Sequence, residues 1–357
     1  MEKRIYIFSR VIFLFFAIIA SIWLPLREGY INEISSWANF DGRHYITIAT
    51  QGYDRFNFVF FPLYPGLIYL LHKIFSLNPV IAGLLISYLS FYAALVVFKK
   101  LGELDFKKSE VKWSMIFLAL APTAYYFQAV YTESLFLLLI LLTFWFARKK
   151  SWLMVGVFGF LVCLTRHSGI ALIPALIAEW FYQRKDSQEK RDYKIIPAIG
   201  LTILGTLSFM AYTKVFFGDF FLFKKSFAAW ERDEIIFPLQ TVYRYLKIFI
   251  FVNPRLLVYW IAVLEFISFL AAIILGLYTT LKIRVSYGIL ILTLLAMGSL
   301  SGTLIGTPRY LLHMFPIYWA ITNMTATRNN LRYLYLGISI ALGFILTSLF
   351  VRGYFVS

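Results

Sequence analysis

Eleven apolar runs of helix length follow one another along this 357-residue chain, and such a polypeptide cannot hide them all inside one water-solvated core. They fall at about 5–26, 79–98, 112–128, 131–147, 152–165, 168–182, 194–216, 255–281, 285–305, 309–326 and 331–351. Hydrophobic residues make up 61% of the chain, charged ones 15%, and the mean hydropathy is +0.75. The runs do not alternate with period two, which disfavours a barrel, whose strands need only about 9–11 residues each. The expected fold is all-α: a polytopic transmembrane helical bundle, one membrane-embedded domain over 1–357, multi-pass in the cell membrane. No small-residue cleavage site follows Ile5 to Leu26, so that run reads as a retained first helix. Residues 62–76, with Pro62 and Pro65, read as an interfacial or re-entrant helix.

The formal charge of +16 is that of a nucleic-acid binder, yet the basic residues lie in short loops between apolar runs. That pattern signals topology and contact with anionic lipid; nucleic acid is not an expected partner. With Met1–Arg4 in the cytoplasm, segments 99–112, 148–150, 184–194, 282–284 and 328–332 join it there, and together they hold 19 of the 34 lysines and arginines. The long loops 27–61 and 217–254 then lie outside with eight. Four of those, Lys224, Lys225, Arg244 and Lys247, either meet lipid phosphates or mark an error in this topology. The single cysteine, Cys163, excludes an intrachain disulfide and a cysteine-built zinc site, and reads as a packing residue. The four histidines show no metal-binding spacing.

The densest polar motif is Phe40-Asp41-Gly42-Arg43-His44-Tyr45, just beyond the first run. A helix over 37–49 would put Asp41, His44, Tyr45 and Ile48 on one face, with Trp37 a turn before. That face belongs either to an amphipathic helix on the membrane with a solvated Asp41, or to an active site. Four further motifs follow: Phe60-Phe61-Pro62-Leu63-Tyr64-Pro65, Tyr131-Thr132-Glu133-Ser134, Thr165-Arg166-His167-Ser168-Gly169 and Thr307-Pro308-Arg309-Tyr310. In this topology all of them fall on the outer side. Arg166 and Arg309 each sit at the outer end of an apolar helix, where a bound anion or a carboxylate is the expected partner, and His167 adds a donor. The alternatives are an Arg166–Glu133 salt bridge and an Arg309 that snorkels to headgroups. His72 and His313 read as satisfied interfacial histidines. Aromatic residues, 20% of the chain, form interfacial belts or line a groove for a lipid tail or sugar. Trp230, Glu231, Arg232 and Asp233 are the expected cap for acceptor contact.

In order and spacing, WxxFDGRHYITIATQGYD, FFPLYP, YTESLF, TRHSGI and PRYLLHMFP resemble the prokaryotic relatives of the PIG-V (GPI mannosyltransferase-related) proteins, within the GT-C superfamily of polytopic glycosyltransferases. The resemblance covers about residues 37–320. Phe40 stands where the family usually has tryptophan, and Asp54 is thirteen residues from Asp41 where the wider class often pairs two acids in the first outer loop. The resemblance implies transfer of a hexose, mannose by family, from a polyprenyl-phosphate donor of the dolichol phosphate mannose type. The acceptor would be a hydroxyl of a glycolipid, glycan or protein on the extracytoplasmic face, with membrane lipids as further partners. An inverting transfer needs one base for the acceptor proton, and Asp41 is the choice. The leaving phosphate needs fixed donors, for which Arg166, Arg309 and His167 serve, and Tyr310, His44, Tyr45 and Glu133 complete the expected substrate-binding set. No cofactor is specified, and a divalent cation shared by Asp41 with Asp54 or the donor phosphate is left open. The scheme requires the carboxylate and the guanidiniums to face one cavity. A transporter or flippase of lipid-linked sugars would instead show repeat symmetry and mid-membrane polar groups, and no internal repeat is found. A non-catalytic assembly subunit would tolerate loss of Asp41.

Overall fold

Among the described residues of this computed structural model, 1–30, 34–185, 193–230 and 234–356, every regular element is a helix and there is no strand. The chain divides into two compact units, Met1–Asp54 with Phe60–Trp145 and Ile321–Val356, and Arg55–Val59 with Phe146–Ala320.

The first unit opens with α1 (Glu2–Trp23), whose Ile7, Val11, Leu14, Ile18 and Ile22 form an exposed stripe at helical spacing. A 3₁₀ turn at Ile34–Ala38 leads into α2 (Asp41–Gln51), so the expected helix over 37–49 is two elements with Asp41 at the head of the second. The segment with two prolines forms α3 (Leu63–Phe75), 13 residues and too short to cross a hydrocarbon layer of about 30 Å. α4 (Pro79–Gly102) starts where the Asn78 side chain accepts the Val80 N–H at 2.9 Å, with proline at the first helical position.

The run expected at 112–128 is broken. α5 (Lys108–Ala119) stops short of Pro122, and a 3₁₀ turn follows at Ala124–Gln128. Such a break would strand carbonyls in an apolar interior, but Arg10 of α1 reaches across to them. Its guanidinium donates to Ala124 O at 3.0 Å and Ala119 O at 3.2 Å and lies 4.6 Å from the Phe91 ring centroid. α6 (Glu133–Arg148) begins in this unit and ends in the second.

In the second unit, α7 (Trp152–Thr165) matches its expected bounds, and a 3₁₀ turn at His167–Ala171 leads to α8 (Leu172–Lys185). α9 (Ile195–Phe217) ends at Gly218, whose φ of 79° suits a left-handed cap. The polar loop expected over 217–254 contains α10 (Leu222–Ala228) and α11 (Pro238–Phe251); Glu231, Arg232 and Asp233 lie outside the described residues. α12 (Leu257–Lys282) and α13 (Val285–Ser299) pack together, and α13 also packs on α8.

A buried acid fastens that last pairing. Glu179 of α8 takes a bidentate pair from Arg284 at 2.7 Å, a hydroxyl from Ser286 at 2.6 Å and an amide from Gln183 at 2.7 Å. The run expected at 309–326 is broken into α14 (Thr307–Tyr310) and α15 (Pro316–Met324). The chain returns to the first unit with α16 (Asn329–Val351), packed on α1.

Five described helices, α1, α4, α9, α12 and α16, are long and apolar enough to cross a membrane. They match the runs at 5–26, 79–98, 194–216, 255–281 and 331–351. The protein is a helical membrane protein.

Candidate functional site

The first unit builds its polar motif on a sharp entry into α2. Phe40, the residue before Asp41, has φ 55° and ψ −118°, a conformation a bulky side chain avoids. Its ring is held 5.4 Å from Phe355, 5.8 Å from Tyr30 and 5.9 Å from Phe350. Around the turn, Asn39 donates its side-chain amide to Phe350 O at 2.9 Å, Tyr131 donates its hydroxyl to Asn39 O at 2.9 Å, and the Val130 N–H reaches Trp37 O at 2.9 Å. A Cβ at Gly42 would lie 3.2 Å from Val130 O, so the small residue permits this close approach. Asp41 is thereby fixed at the N-terminus of α2, half-buried, and its negative charge suits that end.

On the same helix, His44 stacks on Phe60 at 4.9 Å, and Tyr45 is buried against Phe60 and Tyr64, both at 5.1 Å. The Tyr45 hydroxyl lies 3.4 Å from Thr132 Oγ1. Glu133 is fully buried in the first turn of α6. Burial pushes the Tyr64 hydroxyl well above the usual phenol range; its bond with Ser87 opposes this, and Tyr45 and Glu133 raise it further. Asp41, His44, Tyr45 and Glu133 thus all belong to the first unit, and the last two are electrostatic neighbours of Tyr64.

Arg166, His167, Arg309 and Tyr310 belong to the second unit, and there the structure brings the two distant motifs together. Arg166 sits in extended conformation between α7 and the 3₁₀ turn, where Gly169 is required because a Cβ would lie 2.9 Å from the Cys163 backbone. Cys163 itself is fully buried. The Tyr310 ring centroid lies 5.2 Å from the Arg166 guanidinium and 5.5 Å from that of Arg309. Gly306, at φ 89°, makes room for that ring: a Cβ there would meet Tyr310 Cζ at 2.9 Å.

Beside them lies a cavity of about 60 Å³, several times the roughly 10–15 Å³ that one water needs. Its polar wall is Arg166, His167, Ser168, Ser301, Tyr310 and His313, and its apolar wall is Phe227, Leu294 and Met297. His167 meets Phe227 of α10 edge-on at 5.0 Å.

His313 corrects the sequence reading. It is not an interfacial histidine but a buried residue of this wall, in the turn between α14 and α15 and outside the five spanning helices. Desolvation, with Arg166 and then Arg309 nearby, holds its pKa well below the usual value, so the imidazole stays neutral. His72 has a hydrogen-bond partner, its Nδ1 lying 2.8 Å from Leu77 O. One guanidinium, two imidazoles, two serines and a phenol beside apolar side chains suit a phosphate esterified to a hydrocarbon, with the Arg309 guanidinium on the other side of the contact to Tyr310. Among the described residues, no group of three or more His, Cys, Asp or Glu side chains is placed to hold a metal ion.

No protein-family model matches the chain, and no curated protein matches it in sequence. Among solved structures it is similar to the oligosaccharyltransferase of Archaeoglobus fulgidus in complex with Zn and sulfate, at 14% identity and a TM-score of 0.48, over 99% of this chain and 53% of that one. The apo form of that protein gives 14% identity and a TM-score of 0.48, over 99% and 56%. The archaeal oligosaccharyltransferase AglB from the same organism, in complex with an inhibitory peptide and a dolichol-phosphate, gives 13% and 0.42, over 98% and 56%. The chain spans about half the length of the solved structures it matches.

Proposed function

We propose that this protein is a membrane glycosyltransferase that moves a hexose, mannose by family resemblance, from a polyprenyl-phosphate donor to an acceptor hydroxyl on the extracytoplasmic face. The observation that carries the reading is the cavity of the second unit, which Arg166 and Tyr310 line together with the apolar Phe227, Leu294 and Met297. A phosphate on an apolar tail is the ligand such a wall serves. The sequence motifs that resemble the PIG-V relatives supply the rest.

In the reaction, the acceptor O–H gives its proton to the Asp41 carboxylate as its oxygen bonds to the sugar's anomeric carbon. The bond from that carbon to the phosphate oxygen breaks with inversion, and the polyprenyl phosphate leaves with the electron pair. Arg166 and Arg309 offset the charge gathered on the leaving phosphate, and Tyr310 and His313 supply neutral hydrogen-bonding groups. Asp41 suits the role of base because it is half-buried and held by a strained, tightly bonded turn, and such strain clusters at functional positions.

The test is Asp41→Asn in vesicles supplied with a lipid-linked sugar donor. Transfer should fall by about 10²–10⁴-fold, the contribution of a positioned base, while donor binding persists. Undiminished transfer removes Asp41 as base, and movement of the donor across the bilayer without transfer favours a flippase.

A further inference from the structure

α11 has two working faces. Thr241 and Tyr245 are buried, and they hold the helix to the rest of the second unit: Thr241 Oγ1 donates to Ser299 O at 3.0 Å, and the Tyr245 hydroxyl donates to Glu265 of α12 while accepting the Leu304 N–H at 3.0 Å. Burial and then the Glu265 carboxylate push that phenol far above its usual range, so it remains a donor. The opposite face carries Leu239, Tyr243, Leu246 and Ile250, exposed by 68%, 51%, 46% and 73%. Their spacing of four, three and four residues makes one narrow stripe along the helix. Four large apolar side chains on a helix already fastened by its other face mark a surface that something covers.

The chain itself indicates the occupant. Phe251 ends α11 and Leu257 begins α12, a helix long and apolar enough to span the bilayer, so the two ends lie within about 20 Å of each other along the linker. Tyr259 and the exposed Trp260, whose Nε1 donates to Pro254 O at 2.9 Å, form the aromatic girdle expected where such a helix meets the membrane surface. Residues 235–264 hold three basic residues, Arg244, Lys247 and Arg255, and no acidic one. Lys247 lies beside the stripe, its Nζ 4.7 Å from the Tyr243 ring centroid.

We propose that α11 is an interfacial helix whose Leu239–Tyr243–Leu246–Ile250 stripe is sunk among the acyl chains of an anionic bilayer, with Lys247 at the level of the lipid phosphates. Its other face holds the turn that supplies Ser301 to the cavity wall, so the membrane surface steadies that wall. The inference does not depend on the chemistry assigned to the cavity.

Nitroxide labels report the depth. In the full chain with Cys163→Ala, reconstituted into vesicles, labels go on Leu246→Cys and Ile250→Cys, with Gln240→Cys as the polar-face reference. Labels at 246 and 250 should collide severalfold more with oxygen than with a nickel chelate, and the label at 240 should do the reverse. Nickel access at 246 and 250 equal to that at 240 would place the stripe in water. Shielding from both reagents would mean that a protein partner or a second copy covers it. Either result overturns the proposal. Should the 246 variant fail to fold, Tyr243→Cys carries the same readout. Adding Lys247→Glu should shift the 250 label toward nickel in phosphatidylglycerol vesicles and leave it unmoved in phosphatidylcholine; equal behaviour in the two lipids overturns the anionic preference.

Discussion

The consequence of burying His313 near the Arg166 and Arg309 guanidiniums can be measured without substrate. Its folded pKa lies well below 6.5, whereas the unfolded chain titrates near that value. Above pH 6.5 both states hold the imidazole neutral and it adds no pH dependence. As pH falls below 6.5, the unfolded state takes up a proton that the folded state refuses, so stability drops. The wild type should therefore lose stability relative to His313→Gln as pH goes from 7 to 5, read as the difference between their thermal midpoints in detergent. A constant difference across that range would mean that the imidazole protonates freely in the fold. Arg166 and Arg309 could be singled out in the sequence because an arginine at the end of an apolar run needs a partner. His313 could not, because its importance comes from the turn between α14 and α15, and a continuous apolar run does not announce that turn.

Among the elements, those that span by length were legible and those that break were not. An apolar run of 22–26 residues is self-sufficient, since helix hydrogen bonds satisfy its backbone internally. A break at 120–123 needs donors from elsewhere, and Arg10 supplies them from 109 positions away, a pairing no local pattern encodes. Glycine at close helix crossings is another long-range feature. A Cβ at Gly156 of α7 would sit 3.0 Å from Ala198 Cα of α9, and one at Gly205 of α9 would press on the Phe160 carbonyl of α7. Gly200, also on α9, faces open space. Gly205→Ala should thus cost about 1–3 kcal/mol by overpacking against fixed backbone. Gly200→Ala should be neutral or stabilising by up to about 1 kcal/mol through helix propensity. Thermal unfolding of the two variants checks the pair, and equal effects would show that the α7–α9 approach is looser than its geometry.

For the whole molecule, the distribution of charge predicts which side each loop faces. Segments 99–112, 148–150, 184–194, 282–284 and 328–332 are short and rich in lysine and arginine, so the cytoplasm should hold them. The loop that carries α10 and α11 then faces outward despite Lys224, Lys225, Arg244 and Lys247. The anionic-lipid seat proposed for α11 would give part of that charge a use on the outer side; without it, those residues mark an error in the orientation. Because Cys163 is the single cysteine and is buried, a Cys163→Ala background accepts one reporter at a time. Lys108 and Lys224 are both exposed. Lys224→Cys should react with a membrane-impermeant maleimide on intact cells, and Lys108→Cys only after permeabilisation. The reverse pattern would put the loop that carries α10 and α11 on the cytoplasmic side and overturn the orientation.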